Sequence, residues 1–86
     1  MRLSKREKAV FQVMKDNLGK PFTVEDIAEI YFGERERSKN WYTQVCGFMA
    51  KLENKTRLMV YEGNESFLVH RFTPLGRGSK AQYRCE

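Results

Sequence analysis

The sequence predicts a small α+β domain, in which three helices are followed by a small antiparallel sheet. Three observations lead to this prediction. The 86 residues suffice for one modest hydrophobic core and not for two, so we expect a single domain over 1–86. Apolar residues recur at helical spacing up to about residue 54. Beyond Lys55 the pattern changes to short extended runs that are separated by glycine-containing turns.

The composition indicates a folded protein with an anionic partner. Hydrophobic residues make up 41% of the chain and charged residues 31%, which is typical of a well-solvated domain and not of a disordered chain. Lysine and arginine number 16 against 11 acidic residues, so the formal net charge is +5. No apolar run approaches the roughly 20 residues that a membrane-spanning helix needs. We therefore expect a cytoplasmic protein without a membrane partner.

Cys46, Cys85 and His70 are too scattered to predict a metal centre. A closed zinc site usually takes four ligands, and the chain has no C-x-x-C pair. Two reduced thiols are the simpler expectation. The sequence also contains no P-loop, no G-x-S-x-G and no H-E-x-x-H motif. We therefore expect a protein that is not an enzyme and that uses neither a metal nor another cofactor.

Two capping patterns define the starts of the first two helices. Ser4 and Glu7 form the S-x-x-E pattern of a capping box, and Thr23 and Asp26 form a related T-x-x-D pattern. The segment Pro21–Phe22 between these helices is predicted to be a brief extended piece. The two helices are predicted over about residues 4–17 and 23–32.

The third helix is predicted over about residues 39–54, with Ser38 or Asn40 as its cap. Its apolar residues recur at helical intervals and form one inward face: Trp41, Val45, Phe48, Met49 and Leu52. At about 100° per residue, the opposite side of the helix then points outward. The outward residues are Lys39, Asn40, Thr43, Cys46, Gly47, Ala50 and Asn54, with Gln44 and Lys51 on one flank.

Three strands are predicted after the third helix, over about residues 58–62, 66–72 and 80–85. Leu58–Tyr61 is a short apolar run, and Gly63–Asn64 supplies a turn before the second strand. The segment 73–79 between the last two strands contains proline, glycine and serine and is predicted to be a loop. Together these strands would form one antiparallel sheet.

Two stretches resemble winged helix-turn-helix DNA-binding domains. The stretch TVEDIA at 23–28 resembles the opening of their supporting helix, and GRGSKAQYR at 76–84 resembles a wing tip with its returning strand. The predicted order of elements is also the order of that superfamily, so the resemblance covers nearly the whole chain. The link from Phe32 to Lys39 exceeds the usual turn of about 3 to 4 residues but is compatible with winged variants. The resemblance implies a winged helix-turn-helix fold, in which the sheet carries a β-wing.

The resemblance further implies sequence-preferring binding of double-stranded DNA by a small transcriptional regulator, with helix 3 in the major groove and the wing on phosphate or the minor groove. Asparagine and glutamine can pair with adenine, threonine can contact a base, and lysine can reach guanine or phosphate. Gly47 in mid-helix costs about 1 kcal/mol relative to alanine, and with Ala50 it would leave a flat strip for the groove. The candidate DNA-contacting residues are Lys39, Asn40, Thr43, Gln44, Gly47 and Lys51 in helix 3 and Arg77, Gly78, Ser79, Lys80 and Arg84 in the wing.

Other interpretations of the same residues stay open. The polar side of helix 3 is equally what a solvated helix shows, Gly47 with Ala50 could admit a partner's helix, and the wing could be a plain hairpin. Winged domains also serve as protein–protein interaction adaptors that modulate a nucleic-acid enzyme or regulator, which exposed tyrosines would favour. Structured RNA would use the same basic surface. A homodimer would roughly double the readout of DNA, and a DNA-binding protein would be associated with the nucleoid.

The placement of positive charge separates DNA binding from the adaptor. DNA binding requires one continuous basic surface, whereas an adaptor predicts an apolar patch there or acidic residues that interrupt it. The basic residues concerned are Lys39, Lys51, Arg77, Lys80 and Arg84. The tyrosines whose exposure would favour an adaptor are Tyr42, Tyr61 and Tyr83.

Overall fold

The computed structural model describes residues 2–76, 78 and 80–86. Within these residues the protein has three helices and a small antiparallel sheet of three strands, which is the predicted α+β class. The elements in chain order are α1 (Lys5–Lys15), β1 (Phe22–Thr23), α2 (Val24–Phe32), α3 (Trp41–Tyr61), β2 (Val69–Phe72) and β3 (Gln82–Cys85). None of the helices in this part of the chain is both long and apolar enough to cross a membrane.

The first two helices begin where the capping patterns predict. The Ser4 amide donates to Glu7 Oε1 at 2.7 Å, and the Glu7 amide donates back to Ser4 Oγ at 3.2 Å. The same reciprocal pair joins Thr23 and Asp26, with both distances at 3.0 Å. Each capping box satisfies backbone donors that a helix start would otherwise leave unpaired, so both starts are confirmed.

The third helix is longer than the sequence predicts, and the predicted strand over 58–62 is wrong. The helix α3 spans 21 residues and ends at Tyr61. Its buried stripe continues from Leu52 through Thr56 to the half-buried Met59, at intervals of four and three residues. A short apolar run fits either a strand or the end of a helix, and here it ends α3, with Met59 and Val60 half-buried and Leu58 and Tyr61 exposed.

The turn signal after this run belongs to the end of the helix. Gly63 has a φ of +80°, and its amide donates to the Val60 carbonyl at 3.0 Å. The Asn64 amide donates to the Met59 carbonyl at 2.8 Å. These two bonds form a Schellman motif with glycine in the left-handed position after the C-cap. The Gly63–Asn64 pair therefore terminates α3 and does not join two strands.

The third strand of the sheet comes from β1, which precedes α2. The strand order is β1-β3-β2, and both pairings are antiparallel. Phe22 pairs with Tyr83, and Val69 pairs with Cys85. The predicted strands over 66–72 and 80–85 are confirmed in their later parts only, as β2 and β3. The prediction of a sheet formed wholly after helix 3 is wrong, because the extended piece before α2 pairs with β3.

The core lies between the three helices and one face of the sheet. The sheet contributes Val69, Tyr83 and Cys85, while Gln82 and Arg84 lie on its other face. The predicted inward residues of α3 divide into two classes of burial. Val45, Met49 and Leu52 are fully buried, and Trp41 and Phe48 are half-buried against the core.

Candidate nucleic-acid interface

All six residues of helix 3 and the preceding turn that were predicted to contact DNA are exposed to solvent: Lys39, Asn40, Thr43, Gln44, Gly47 and Lys51. Lys39 and Asn40 lie in the turn before α3. Asn40 occupies the N-cap position, but its side chain forms no capping hydrogen bond within the described part of the chain. The predicted side-chain cap from Ser38 or Asn40 is wrong, because the first turn is closed by backbone bonds and the Ser38 hydroxyl bonds elsewhere.

Gln44 forms two hydrogen bonds within the protein. Its Nε2 donates to the Tyr31 hydroxyl at 3.0 Å, and its Oε1 accepts a hydrogen bond from the Ser38 hydroxyl at 2.8 Å. The Arg6 guanidinium also lies 4.4 Å from the centroid of the Tyr31 ring. Gln44 therefore joins α3 to α2 and to the turn between them. Both ends of its amide have an internal partner before any external ligand arrives.

Gly47 lies on the open side of α3. A Cβ built on this residue meets no atom within 4 Å, and its φ is not positive. The described residues therefore give no packing reason and no backbone reason for a glycine here. Glycine weakens a helix interior by about 1 kcal/mol relative to alanine, and no contact among the described residues offsets that cost.

The exposed side of α3 carries positive charge and no carboxylate. We call this side the outer face of α3, and its members are Thr43, Gln44, Gly47, Ala50, Lys51, Asn54 and Arg57. Glu53 is the single acidic residue of the helix. It is half-buried and turned away, because its Oε2 accepts a hydrogen bond from the Arg71 amide at 2.9 Å. Lys51 and Arg57 therefore face solvent without an acidic neighbour on the same helix face.

Arg57 is a candidate that the sequence analysis missed. It follows Asn54 by three residues and so lies on the same side of α3. The prediction ended helix 3 near residue 54 and treated the following residues as the approach to a strand, which removed Arg57 from the outer face. The missed signal was helical spacing itself, since Leu52, Thr56 and Met59 continue the apolar stripe.

The loop between β2 and β3 approaches the start of α3 at one described position. Lys80 is exposed, and its Nζ lies 5.7 Å from the ring centroid of Tyr42 in the first turn of α3. The structure thus brings together a basic residue of the predicted wing and the helix with the predicted base contacts. Gly78 is an exposed turn residue with a φ of +73°. The predictions for Arg77 and Ser79 lie outside the described residues.

Arg84 differs from the other predicted wing residues. It lies within β3 opposite His70, and its guanidinium stacks over the Phe72 ring at 4.8 Å from the centroid. Its Nε also forms an ion pair with the Glu86 carboxylate. Its side chain therefore belongs to the outer surface of the sheet, where Phe72 and Glu86 already occupy it. The contacts of Arg84 do not connect it with α3.

A pocket of about 270 Å³ lies between the starts of α2, α3 and β3. Two aromatic residues, Trp41 and Tyr42, line it, and their ring centroids are 5.7 Å apart with an interplanar angle of 73°. Lys80 and Gln82 line the side that belongs to β3 and the preceding loop. Thr23 and Glu25 line it at the start of α2, where Thr23 pairs with Gln82 in the sheet. The sequence predicts Trp41 as a core residue and gives no sign of this pocket, because the residues that line it are far apart along the chain.

A second, wider groove of about 600 Å³ runs between the start of α1 and the end of α2. Lys5, Arg6 and Arg35 line it. Arg35 donates to the carbonyls of Tyr31 and Phe32 at 3.0 and 3.3 Å, so its guanidinium holds the C-terminal end of α2. Arg6 is likewise directed at the Tyr31 ring. Two of the three cations are therefore engaged with the protein itself.

The core contains one thiol and one phenol whose ionisation is suppressed. Burial raises the pKa of the Cys85 thiol, and burial together with the neighbouring Cys46 raises the pKa of Tyr83. Both groups are therefore held in their neutral form at neutral pH. No cluster of three or more potential metal ligands occurs in residues 2–76, 78 and 80–86.

Comparisons of the chain with protein-family models, with curated proteins and with solved structures gave no match.

Proposed function

We propose that the protein binds double-stranded DNA as a winged helix-turn-helix domain and acts as a small transcriptional regulator associated with the nucleoid. The element order supports the proposal, because a helix, a short strand, two helices and a pair of strands follow one another as in the superfamily that the sequence resembles. In this proposal α3 enters the major groove, and the loop between β2 and β3 lies on phosphate or in the minor groove.

The single observation that carries the proposal is the outer face of α3. It combines exposed cations with small and amide side chains, and its helix has no carboxylate on that side. An approaching phosphate backbone would meet Lys51 and Arg57 without repulsion from the same face. Gly47 and Ala50 leave room for the backbone of α3 to come close to base edges. A merely solvated face has no use for a glycine that weakens its own helix.

The internal bonds of Gln44 change its role within the proposal. Thr43 and Asn54 have side chains on the outer face that can contact base edges. Gln44 instead holds α3 against Tyr31, so it orients the helix and reads no base. Lys80 supplies a second positive contact beside the start of α3, which supports docking of the helix and the loop on one side of the molecule. Arg84 contacts Phe72 and Glu86 on the surface of the sheet, so we give it no contact in this interface.

A titration against random-sequence duplex at two salt concentrations tests the proposal. We expect binding at low salt that weakens as salt rises, with a slope of about −0.9 in log K per log salt for each phosphate contacted. Lys51→Ala and Lys80→Ala should each weaken binding to all sequences and reduce the slope, whereas Thr43→Ala should change the preference among sequences. Lys8→Ala, at an exposed position on α1, is the matched control. Absent or salt-independent binding by the wild type would overturn the proposal, and tighter binding to an RNA hairpin would assign the surface to RNA.

One observation favours the adaptor as a second candidate. Tyr61 is 90% exposed and Leu58 is 43% exposed, and both lie at the C-terminal end of α3. Exposed tyrosine is typical of protein–protein interfaces. Leu58 follows Asn54 by four residues and Tyr61 follows Arg57 by four, so this patch forms the C-terminal end of the outer face of α3. Tyr61→Ser separates the two functions, because it should leave duplex affinity unchanged and abolish the binding of a protein partner.

A further inference from the structure

The pocket between α2, α3 and β3 has a composition that duplex binding does not explain. Its volume of about 270 Å³ lies near the lower end of ligand sites, which begin at about 300 Å³, so it has room for one small ligand. We propose that this pocket binds a single nucleotide through its base, either as a free nucleotide or as an unpaired residue of a nucleic acid. The inference rests mainly on Trp41, Tyr42 and Gln82, which have no role in the proposed duplex interface, and it shares only Lys80 with that interface.

Two aromatic rings form a corner that suits a planar ligand. Trp41 and Tyr42 meet at an interplanar angle of 73°, so a ring that stacks on one of them faces the edge of the other. The Arg37 guanidinium lies 4.7 Å from the Trp41 ring, and Glu25 holds this guanidinium at 2.6 Å. Arg37 thus covers one face of the indole and helps to fix the position of the ring. Base stacking on such a prearranged ring is the main contribution in proteins that bind unpaired bases.

Polar groups at the pocket match the rest of a nucleotide. Gln82 is half-buried at the pocket wall, and its amide offers both donors and an acceptor for the edge of a base. Lys80 is exposed at the pocket and beside Tyr42, where its ammonium can meet a phosphate. Among the pocket residues that the structure describes, Glu25 is the one carboxylate, and it is already paired with Arg37. The site thus combines an aromatic corner, an amide and a free cation, which is the chemistry that a nucleotide requires.

Trp41 makes the pocket directly observable, because it is the one tryptophan of the chain. Its fluorescence can be excited at the red edge of the indole absorption band, where nucleobases absorb little. The emission is then followed during the addition of nucleoside monophosphates, of a single-stranded homopolymer or of a closed duplex hairpin. Saturable quenching by monophosphates assigns the site to free nucleotides. Saturable quenching by the single strand alone assigns it to unpaired residues of a nucleic acid. Unchanged emission with both ligands overturns the inference.

Two variants test the inference, and a third variant serves as their control. Tyr42→Leu keeps an apolar side chain but removes one ring, and it should weaken nucleotide binding by roughly fivefold or more. Lys80→Ala should weaken the binding of nucleotides and leave the binding of the corresponding nucleosides unchanged. Tyr61→Leu is the matched control, since this tyrosine lies at the other end of α3. Equal affinity of the Tyr42→Leu and Tyr61→Leu variants for the nucleotide would overturn the inference.

The experiment also separates this inference from the proposed function. Duplex binding is measured in parallel by the anisotropy of a labelled hairpin whose strands are joined by a non-nucleotide linker, so that it has no unpaired bases. Quenching by nucleotides without binding of the hairpin supports the pocket and contradicts the proposed function. Binding of the hairpin with no response to nucleotides or to the single strand contradicts the pocket alone.

Discussion

The hydroxyl of Thr56 accepts a hydrogen bond from the backbone amide of Val69 at 3.0 Å, and both residues are fully buried. The same hydroxyl donates to the Glu53 carbonyl at 3.1 Å. One turn earlier on α3, the Glu53 carboxylate accepts from the Arg71 amide. These amides of β2 point away from β3, because backbone hydrogen bonding between antiparallel strands alternates and the preceding Leu68 exchanges both of its bonds with Glu86. Two side chains of α3 thus close an edge of the sheet that would otherwise be open to pairing with another chain.

Thr56→Val tests the importance of this edge. Valine has nearly the same shape as threonine but leaves the buried Val69 amide without its acceptor, so we expect a loss of about 1–3 kcal/mol in the free energy of unfolding. Urea denaturation measures the change. Thr43→Val on the exposed side of the same helix is the control and should stay within about 0.5 kcal/mol of the wild type. Equal stabilities of the two variants would show that the Thr56 hydroxyl contributes nothing.

Gly63→Ala tests the end of α3. A Cβ in the left-handed conformation at φ +80° costs roughly 1–2 kcal/mol, so the variant should lose that amount of stability. Gly63→Asn should lose less, because asparagine adopts this conformation more readily. Thermal or urea unfolding of the two variants makes the comparison. If alanine were tolerated as well as asparagine, the Schellman motif would not be what ends the helix.

Gly47→Ala should have opposite effects on folding and on binding. The added methyl meets only open space, so we expect the free energy of unfolding to rise by up to about 1 kcal/mol. If α3 lies close to DNA at this residue, the same methyl should weaken duplex affinity. Ala50→Gly is the reverse control and should destabilise the fold without adding a clash. A more stable Gly47→Ala variant with unchanged affinity would contradict close approach at this position.

Glu7 makes stability depend on pH in the acidic range. Burial acts to raise the pKa of this carboxyl, but hydrogen bonds from Lys55 and Ser4 outweigh it, so the pKa lies below its ordinary value of 4.5. A carboxyl with a lowered pKa in the folded state stabilises the protein above its unfolded pKa, and this contribution is lost as the pH falls through the folded pKa. The free energy of unfolding should therefore decrease below about pH 4.5.

Glu7→Gln isolates this contribution, because glutamine can still complete the capping box. Urea unfolding at a series of pH values should show a large gap between the wild type and the variant at neutral pH and a smaller gap in acid. Glu65, whose pKa is also lowered below its ordinary value after burial is offset by bonds from Ser66 and Lys15, adds a similar background to both proteins. Parallel curves for the two proteins would mean that the Glu7–Lys55 pair does not contribute to the pH dependence.

The sequence by itself determined the features that depend on close neighbours. The starts of α1 and α2 follow from Ser4 with Glu7 and from Thr23 with Asp26, because a capping box closes within four residues. The sequence also determined which side of α3 faces the solvent, and all of the predicted contact residues in α3 and the preceding turn are exposed. Local spacing suffices for such features, since helical geometry turns sequence separation directly into direction.

Only the tertiary structure decided whether residues 58–61 form a helix or a strand, and which segment supplies the third strand of the sheet. The apolar run and the following glycine suit either a strand with a turn or a helix with its C-terminal cap. The choice depends on partners that lie 13 and 18 residues away, where Thr56 and Glu53 meet the amides of β2. The pocket around Trp41 and Tyr42 is decided in the same way, because Lys80 reaches it only once β3 has paired with β1. Contacts of this kind produce no periodic pattern in the sequence, because they form only when the elements pack.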